Sequence, residues 1–80
     1  MKFSVIITLK NDVLDPQGKV IQQTLQSMGI NSLNSLRQGK YIEIELDESD
    51  EKKAFSIVED MCKKLLVNLI IEEYKINKIK

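Results

Sequence analysis

The sequence predicts an α+β two-layer sandwich, with two helices on one face of a mostly antiparallel sheet. Three observations carry that prediction. The N-terminal segment KFSVIITLK alternates apolar and polar residues with a period of two. Two later segments carry helix start and stop signals around a single apolar stripe each. The segments YIEIEL and LIIEEYKINKI read as extended chain between and after them. The element order is then β-α-β(β)-α-β, in one domain over residues 1–80.

In the first segment Phe3, Val5, Ile7 and Leu9 alternate with Lys2, Ser4, Thr8 and Lys10, and only Ile6 breaks the period. That is a strand buried on one face, with Ile6 marking partial cover on the other. Asp15 is a good N-cap, and Pro16 suits the first helical position, where its missing N–H costs nothing. Ile21, Leu25 and Met28 follow at helical spacing beside Val20, with Gln22, Gln23 and Gln26 facing out. Gly29 supplies a left-handed stop, so the first helix runs from Pro16 to about Met28. Gly18 in its first turn is unfavourable by roughly 1 kcal/mol relative to alanine, an oddity that asks for an explanation.

The stretch NSLNSLRQGKYIEIEL reads as extended, with Tyr41, Glu43 and Glu45 on one face and Ile42, Ile44 and Leu46 on the other. Leu33 and Leu36 cross faces unless a turn or bulge intervenes at Gly39. The region is therefore either a hairpin or one strand bent at that glycine. The second helix starts at Ser49 or Asp50 and carries Ala54, Ile57, Val58, Met61 and Leu65 as its apolar stripe. Lys63 and Lys64 lie near its end, where the helix dipole favours cations, and Asn68 is placed as a left-handed stop. Ile70, Tyr74 and Ile76 share one face of the last strand. With both stripes turned to the sheet, the arrangement is ferredoxin-like, and the face carrying Ile6 and Tyr41 is left open as a place to dimerise.

Size and composition narrow the function. A chain of 80 residues buries only about 60–65% of its unfolded surface, and small scaffolds usually need a staple. Cys62 is the only cysteine and there is no histidine, so disulfides and zinc bound through thiol or imidazole ligands are excluded. Self-association or a larger complex is the remaining source of stability. Twelve basic and twelve acidic residues balance, which favours neither nucleic acid nor an anionic membrane. The aromatics are Phe3, Tyr41, Phe55 and Tyr74, too few and too scattered for a single-strand binder. The apolar run at the N-terminus is too short for a signal peptide or a membrane span, and a lone cysteine fits a reducing compartment. A cytoplasmic protein is expected.

No histidine-based acid–base or nucleophilic pair is present. Cys62 reads as a small, partly buried hydrophobe rather than a nucleophile. The acidic run DESDE lacks calcium-loop spacing and reads as helix capping. Arg37, Gly39 and Lys40 precede a strand rather than a helix, so they do not form a phosphate-binding loop. On the residues alone they are either a turn with solvated cations or part of an interface.

Read together, TLKNDVLDPQGKVIQQTL, the Gly29 stop, LRQGKYIEI, MCKKLL and IIEEY resemble the PurS family, the small subunit of bacterial and archaeal phosphoribosylformylglycinamidine synthase. LDPQGK and R-x-GKY are the specific parts, and the resemblance spans nearly the whole chain. It implies a non-catalytic, dimeric or higher-order adaptor between a glutaminase subunit, PurQ, and an ATP-dependent synthetase subunit, PurL. Such an adaptor assists ammonia transfer to formylglycinamide ribonucleotide in purine synthesis. It implies no cofactor on this chain, with ATP and Mg on the synthetase. The resemblance places Arg37, Gly39, Lys40 and Tyr41 at a subunit contact or strand bend, and Asp15, Pro16 and Gly18 at the strand-to-helix corner, where it implies that Gly18 permits a close backbone approach. Family members usually carry Asn-Pro where this chain has Asn68-Leu69, which implies a looser turn here. The competing expectation is a free-standing ferredoxin-like module that binds a small ligand.

Overall fold

The computed structural model describes residues 1–80. β1 (Lys2–Leu9) is followed by α1 (Pro16–Ser27), β2 (Gly39–Glu45), α2 (Glu51–Met61), a π-helical turn over Cys62–Leu66, and β3 (Glu72–Lys78). The three strands form one antiparallel sheet in the order β2-β1-β3. This is the expected α+β class, with two helices and an antiparallel sheet.

β1 is central because it is the strand best able to be covered along one face. Val5 pairs with Ile42 on one side and Ile76 on the other, and Phe3 sits opposite Ile44. Directly opposed residues share a face, so Phe3, Val5 and Ile7 form the floor of the core. Ala54, Val58 and Cys62, at i, i+4 and i+8, press onto it from α2 and the π turn, with Val67 closing one end. Phe55 adds an edge-to-face contact to Phe3 at 6.4 Å, a geometry aromatic quadrupoles prefer. The opposite face carries Ser4, Ile6, Tyr41, Glu43 and Lys75, as the alternation predicted.

The structure changes four local expectations. Residues 31–38 form neither a hairpin nor an extension of β2, so the optional extra strand is absent and Gly39 starts β2 instead of bending it. Ile57, Met61 and Leu65 are solvent-facing. The buried stripe of α2 is instead displaced toward Cys62, which is fully enclosed rather than partly buried. Asn68 is not left-handed, since Gly29 at φ +98° is the only residue with positive φ. The turn before β3 is tied instead by Asn68: its carbonyl accepts from Ile71 and Glu72, and its side chain accepts from the Ile70 N–H. Proline is not needed to close it.

The fourth change is the position of α1. Only Gly18 is buried in this helix, and none of its apolar residues joins the core. The radius of gyration is 16.1 Å, with extents of 50 × 26 × 14 Å, whereas a compact chain of this length would have a radius of about 12 Å. α1 therefore projects as an arm and does not cover the sheet beside α2. An apolar stripe predicts that a helix face will be buried, but not against what.

Candidate functional site: a hinge between sheet and arm

α1 and the segment returning from it form a unit of their own. Asp15 caps the helix, accepting from the Gly18 N–H at 2.9 Å, and Pro16 follows at the first helical position. At the far end Ile30 donates to Leu25 and Gly29 to Gln26, the paired bonds of a Schellman stop that the left-handed Gly29 makes possible. The chain then runs back along the helix. Gln26 Nε2 donates to the Leu33 carbonyl at 2.9 Å and Gln22 Nε2 to that of Asn34 at 3.3 Å. Two of the glutamines read as merely outward-facing therefore strap the return segment to the helix.

Both connections between arm and sheet pass through one knot. The second Asp15 oxygen accepts from the Gln38 N–H at 2.8 Å, so a single carboxylate holds the first turn of α1 and the residue before β2. Arg37 Nη2 donates to the carbonyls of Lys10 and Val13, each at 3.0 Å, crossing to the loop that leaves β1. Gln38 Nε2 meets Gln17 Oε1 at 2.7 Å. Gly18 is the close approach the sequence suggested. A Cβ there would collide with the Asp15 carboxylate, 2.8 Å from its Cγ, and lie 3.2 Å from the Leu36 carbonyl oxygen. Gly39 is packed as tightly: a Cβ would lie 2.6 Å from the Ile7 carbonyl oxygen and 2.9 Å from Thr8 Cγ2.

Asp15 is almost wholly enclosed. Its carboxyl is held below the usual carboxylate range, first by the Gln38 N–H, then by that of Gly18, with Arg37 adding a smaller favourable field. These are interactions that favour the charged form. Both Asp15 oxygens and the Gln38 and Gly18 N–H groups are thus engaged within the chain.

Of the residues singled out in the sequence, Asp15, Pro16, Gly18, Arg37 and Gly39 converge here. Lys40 lies at the edge, across an open cleft of about 390 Å³ that Pro16 and Gln38 also line, and reaches Glu72 on β3 at 3.7 Å. Tyr41 does not join them. It points to the opposite sheet face beside Ile6, with its hydroxyl donating to Glu43 at 3.3 Å. Gln38 was missed because its contribution is mainly a backbone N–H, which leaves no side-chain signature. Glu72 was missed because it becomes a neighbour of Lys40 only once β1 separates their strands.

Two other features bear on chemistry. Burial, and then the Glu59 carboxylate, push the Cys62 thiol up, which keeps it protonated and unreactive. Ile57, Met61 and Leu65 of the expected core stripe instead line an apolar groove with Ile42 and Ile44, about 450 Å³ in volume. No group of three or more Cys, Asp or Glu residues is placed to hold a metal ion, and no helix is long and apolar enough to cross a membrane.

A family model described as PurS, phosphoribosylformylglycinamidine (FGAM) synthase, matches residues 2–80. The PurS subunit of phosphoribosylformylglycinamidine synthase from Bacillus subtilis is 43% identical over 74 residues, covering 92% of this chain and 87% of that one. The Methanocaldococcus jannaschii PurS subunit is 43% identical over 75 residues, covering 94% and 90%. A chain in the structure of PurLQS from Thermotoga maritima superposes with a TM-score of 0.91 at 33% identity, covering 98% of this chain and 95% of that one. The family model, the relatives and the structural match agree, and the chain belongs to the PurS family of phosphoribosylformylglycinamidine synthase subunits.

Proposed function

We propose that this chain is the adaptor subunit of a phosphoribosylformylglycinamidine synthase, joining a PurQ glutaminase to a PurL synthetase and assisting ammonia transfer in purine synthesis. The observation that carries the proposal is the match, over nearly the whole chain, to a chain of the Thermotoga PurLQS structure. The hinge agrees with it: Asp15 and Arg37 use their hydrogen bonds to hold the chain together. The chemistry then belongs to the partners, one releasing ammonia from glutamine and the other using ATP and Mg to activate formylglycinamide ribonucleotide. No cofactor is assigned to this chain. The adaptor's task is to keep two active sites aligned and to exclude water, which protonates and dilutes ammonia.

Self-association, as a homodimer or a higher oligomer, is part of the reading. Only ten of 80 residues are buried in the isolated chain, and Val20, Ile21 and Met28 stand exposed on the arm. A chain that buries so little depends on further contacts for stability. A cytoplasmic location follows from the pathway proposed. The test is turnover by the partner synthetase and glutaminase with and without this chain. The adaptor reading expects glutamine-dependent turnover to require the chain and turnover on added ammonium not to. If glutamine-dependent turnover is the same without it, the reading is wrong.

A further inference from the structure

We infer that Asp15, Arg37 and the Gln38 backbone form a hinge lock, a positioning device that fixes the arm at one angle to the sheet before any partner is met. The arm is internally complete, with a capped helix, a Schellman stop and a return segment strapped on by Gln22 and Gln26. None of its apolar residues joins the core, so packing within the single chain does not set its orientation. Two chain crossings remain, residues 10–15 and 36–39. The body side of the first is anchored, because Lys10 N–H donates to Ile71 at 2.9 Å. The second enters β2 at Gly39, which lies hard against Ile7.

Asp15 grips both crossings through one carboxylate, and Arg37 ties the second to two carbonyls of the first. The three bonds that join the crossings, from Gln38 N–H to Asp15 and from Arg37 to Lys10 and Val13, must break for the arm to rotate freely, while the Gly18 bond moves with the helix it caps. Gly18 allows the crossings to close this tightly, since any side chain there would drive the Asp15 carboxylate away. A preorganised arm meets an assembly without first losing orientational freedom, which is where much of the cost of association lies. The chain from PurLQS superposes over 98% of this chain with a TM-score of 0.91, which favours a similar placement of the arm there. This link to assembly rests on the adaptor reading; the lock itself does not.

The experiment is a distance measurement between spin labels at Ser27→Cys, near the arm tip, and Lys53→Cys on α2. Both sites are exposed, while Cys62 is buried and stays unlabelled. An excess of unlabelled chain removes distances between copies. With the native hinge, one narrow distance is expected. Arg37→Ala and, more strongly, Asp15→Ala should at least double the width of the distribution while amide-exchange protection of β1 and β3 persists. A width unchanged in both variants overturns the lock. Loss of β1 and β3 protection in both variants also overturns it, because the knot would then be part of the folding core and not a hinge. Neither result depends on PurL or PurQ, so failure here leaves the adaptor reading standing.

Discussion

Replacing Gly39 by alanine sets two effects of opposite sign against each other. Gly39 has no positive φ, so alanine meets no intrinsic backbone penalty there. On that ground the substitution should stabilise, by about 0.4–1 kcal/mol, through reduced freedom of the unfolded chain. Against this, the added Cβ would lie 2.6 Å from the Ile7 carbonyl oxygen and 2.9 Å from Thr8 Cγ2, where undistorted contacts are ~3.5 Å. Ile7 belongs to the central strand, fully buried and paired on both sides, so it cannot yield freely. Overpacking of this kind costs about 1–3 kcal/mol. The clash should win, leaving a net loss of about 1–2 kcal/mol, a sizeable share of the ~4–12 kcal/mol expected for a chain of this size. Urea unfolding at fixed protein concentration checks it. With a slope near 1 kcal/mol/M, the midpoint should fall by about 1–2 M with little change in slope. A midpoint that stays put or rises would refute the argument that strand contact is why glycine stands here.

Two further predictions concern the turn before β3 and the hinge. Leu69 occupies the second position of a turn in which the Ile71 N–H donates back to Asn68 at 3.1 Å, a position that suits proline. Leu69→Pro should raise the unfolding midpoint, in line with about 0.4–1 kcal/mol, and a lowered midpoint would show that the turn rejects proline. Because the folded pKa of Asp15 is depressed below its ordinary value of 3.8, its contribution to stability is present above that value and is lost as pH falls toward the folded pKa. Urea midpoints between about pH 5 and 2.5 should therefore fall more steeply in the native chain than in Asp15→Asn. Parallel pH profiles would mean that the Gln38 and Gly18 N–H groups do not favour the carboxylate.

Much of the local structure was written along the chain. Asp15–Pro16 and Gly29 mark the ends of α1, Asp50 caps α2, and the alternation of β1 and β2 assigns their faces correctly. In each case the relevant forces act within a few residues. A cap satisfies a nearby N–H, a left-handed glycine ends its own helix, and a strand's side chains alternate because of its pleat. Most hinge residues were also singled out, but as two separate groups, Asp15, Pro16 and Gly18 at one corner and Arg37 and Gly39 before β2. What joins them was not visible. The bonds from Asp15 to Gln38 and from Arg37 to Lys10 and Val13 span 23 to 27 residues, and no short-range pattern encodes them.

The family resemblance, carried by LDPQGK and R-x-GKY, was also legible in the sequence alone. The packing partners of the helices were decided by the tertiary structure. An amphipathic stripe states that a face is apolar, and α1 and α2 both have one. Which stripe meets the sheet depends on where the connecting segments deliver each helix. The chain leaving β3's neighbour β1 is gripped by Asp15 and Arg37 and sends α1 outward, so α2 alone covers Phe3, Val5 and Ile7. Within α2 the choice of Cys62 over Leu65 was likewise tertiary, since the winding that places Val67 against the core continues through a π turn and not through another α turn. Local sequence thus determined the elements and their ends, while closure of the chain on itself decided which apolar faces are satisfied and which remain open.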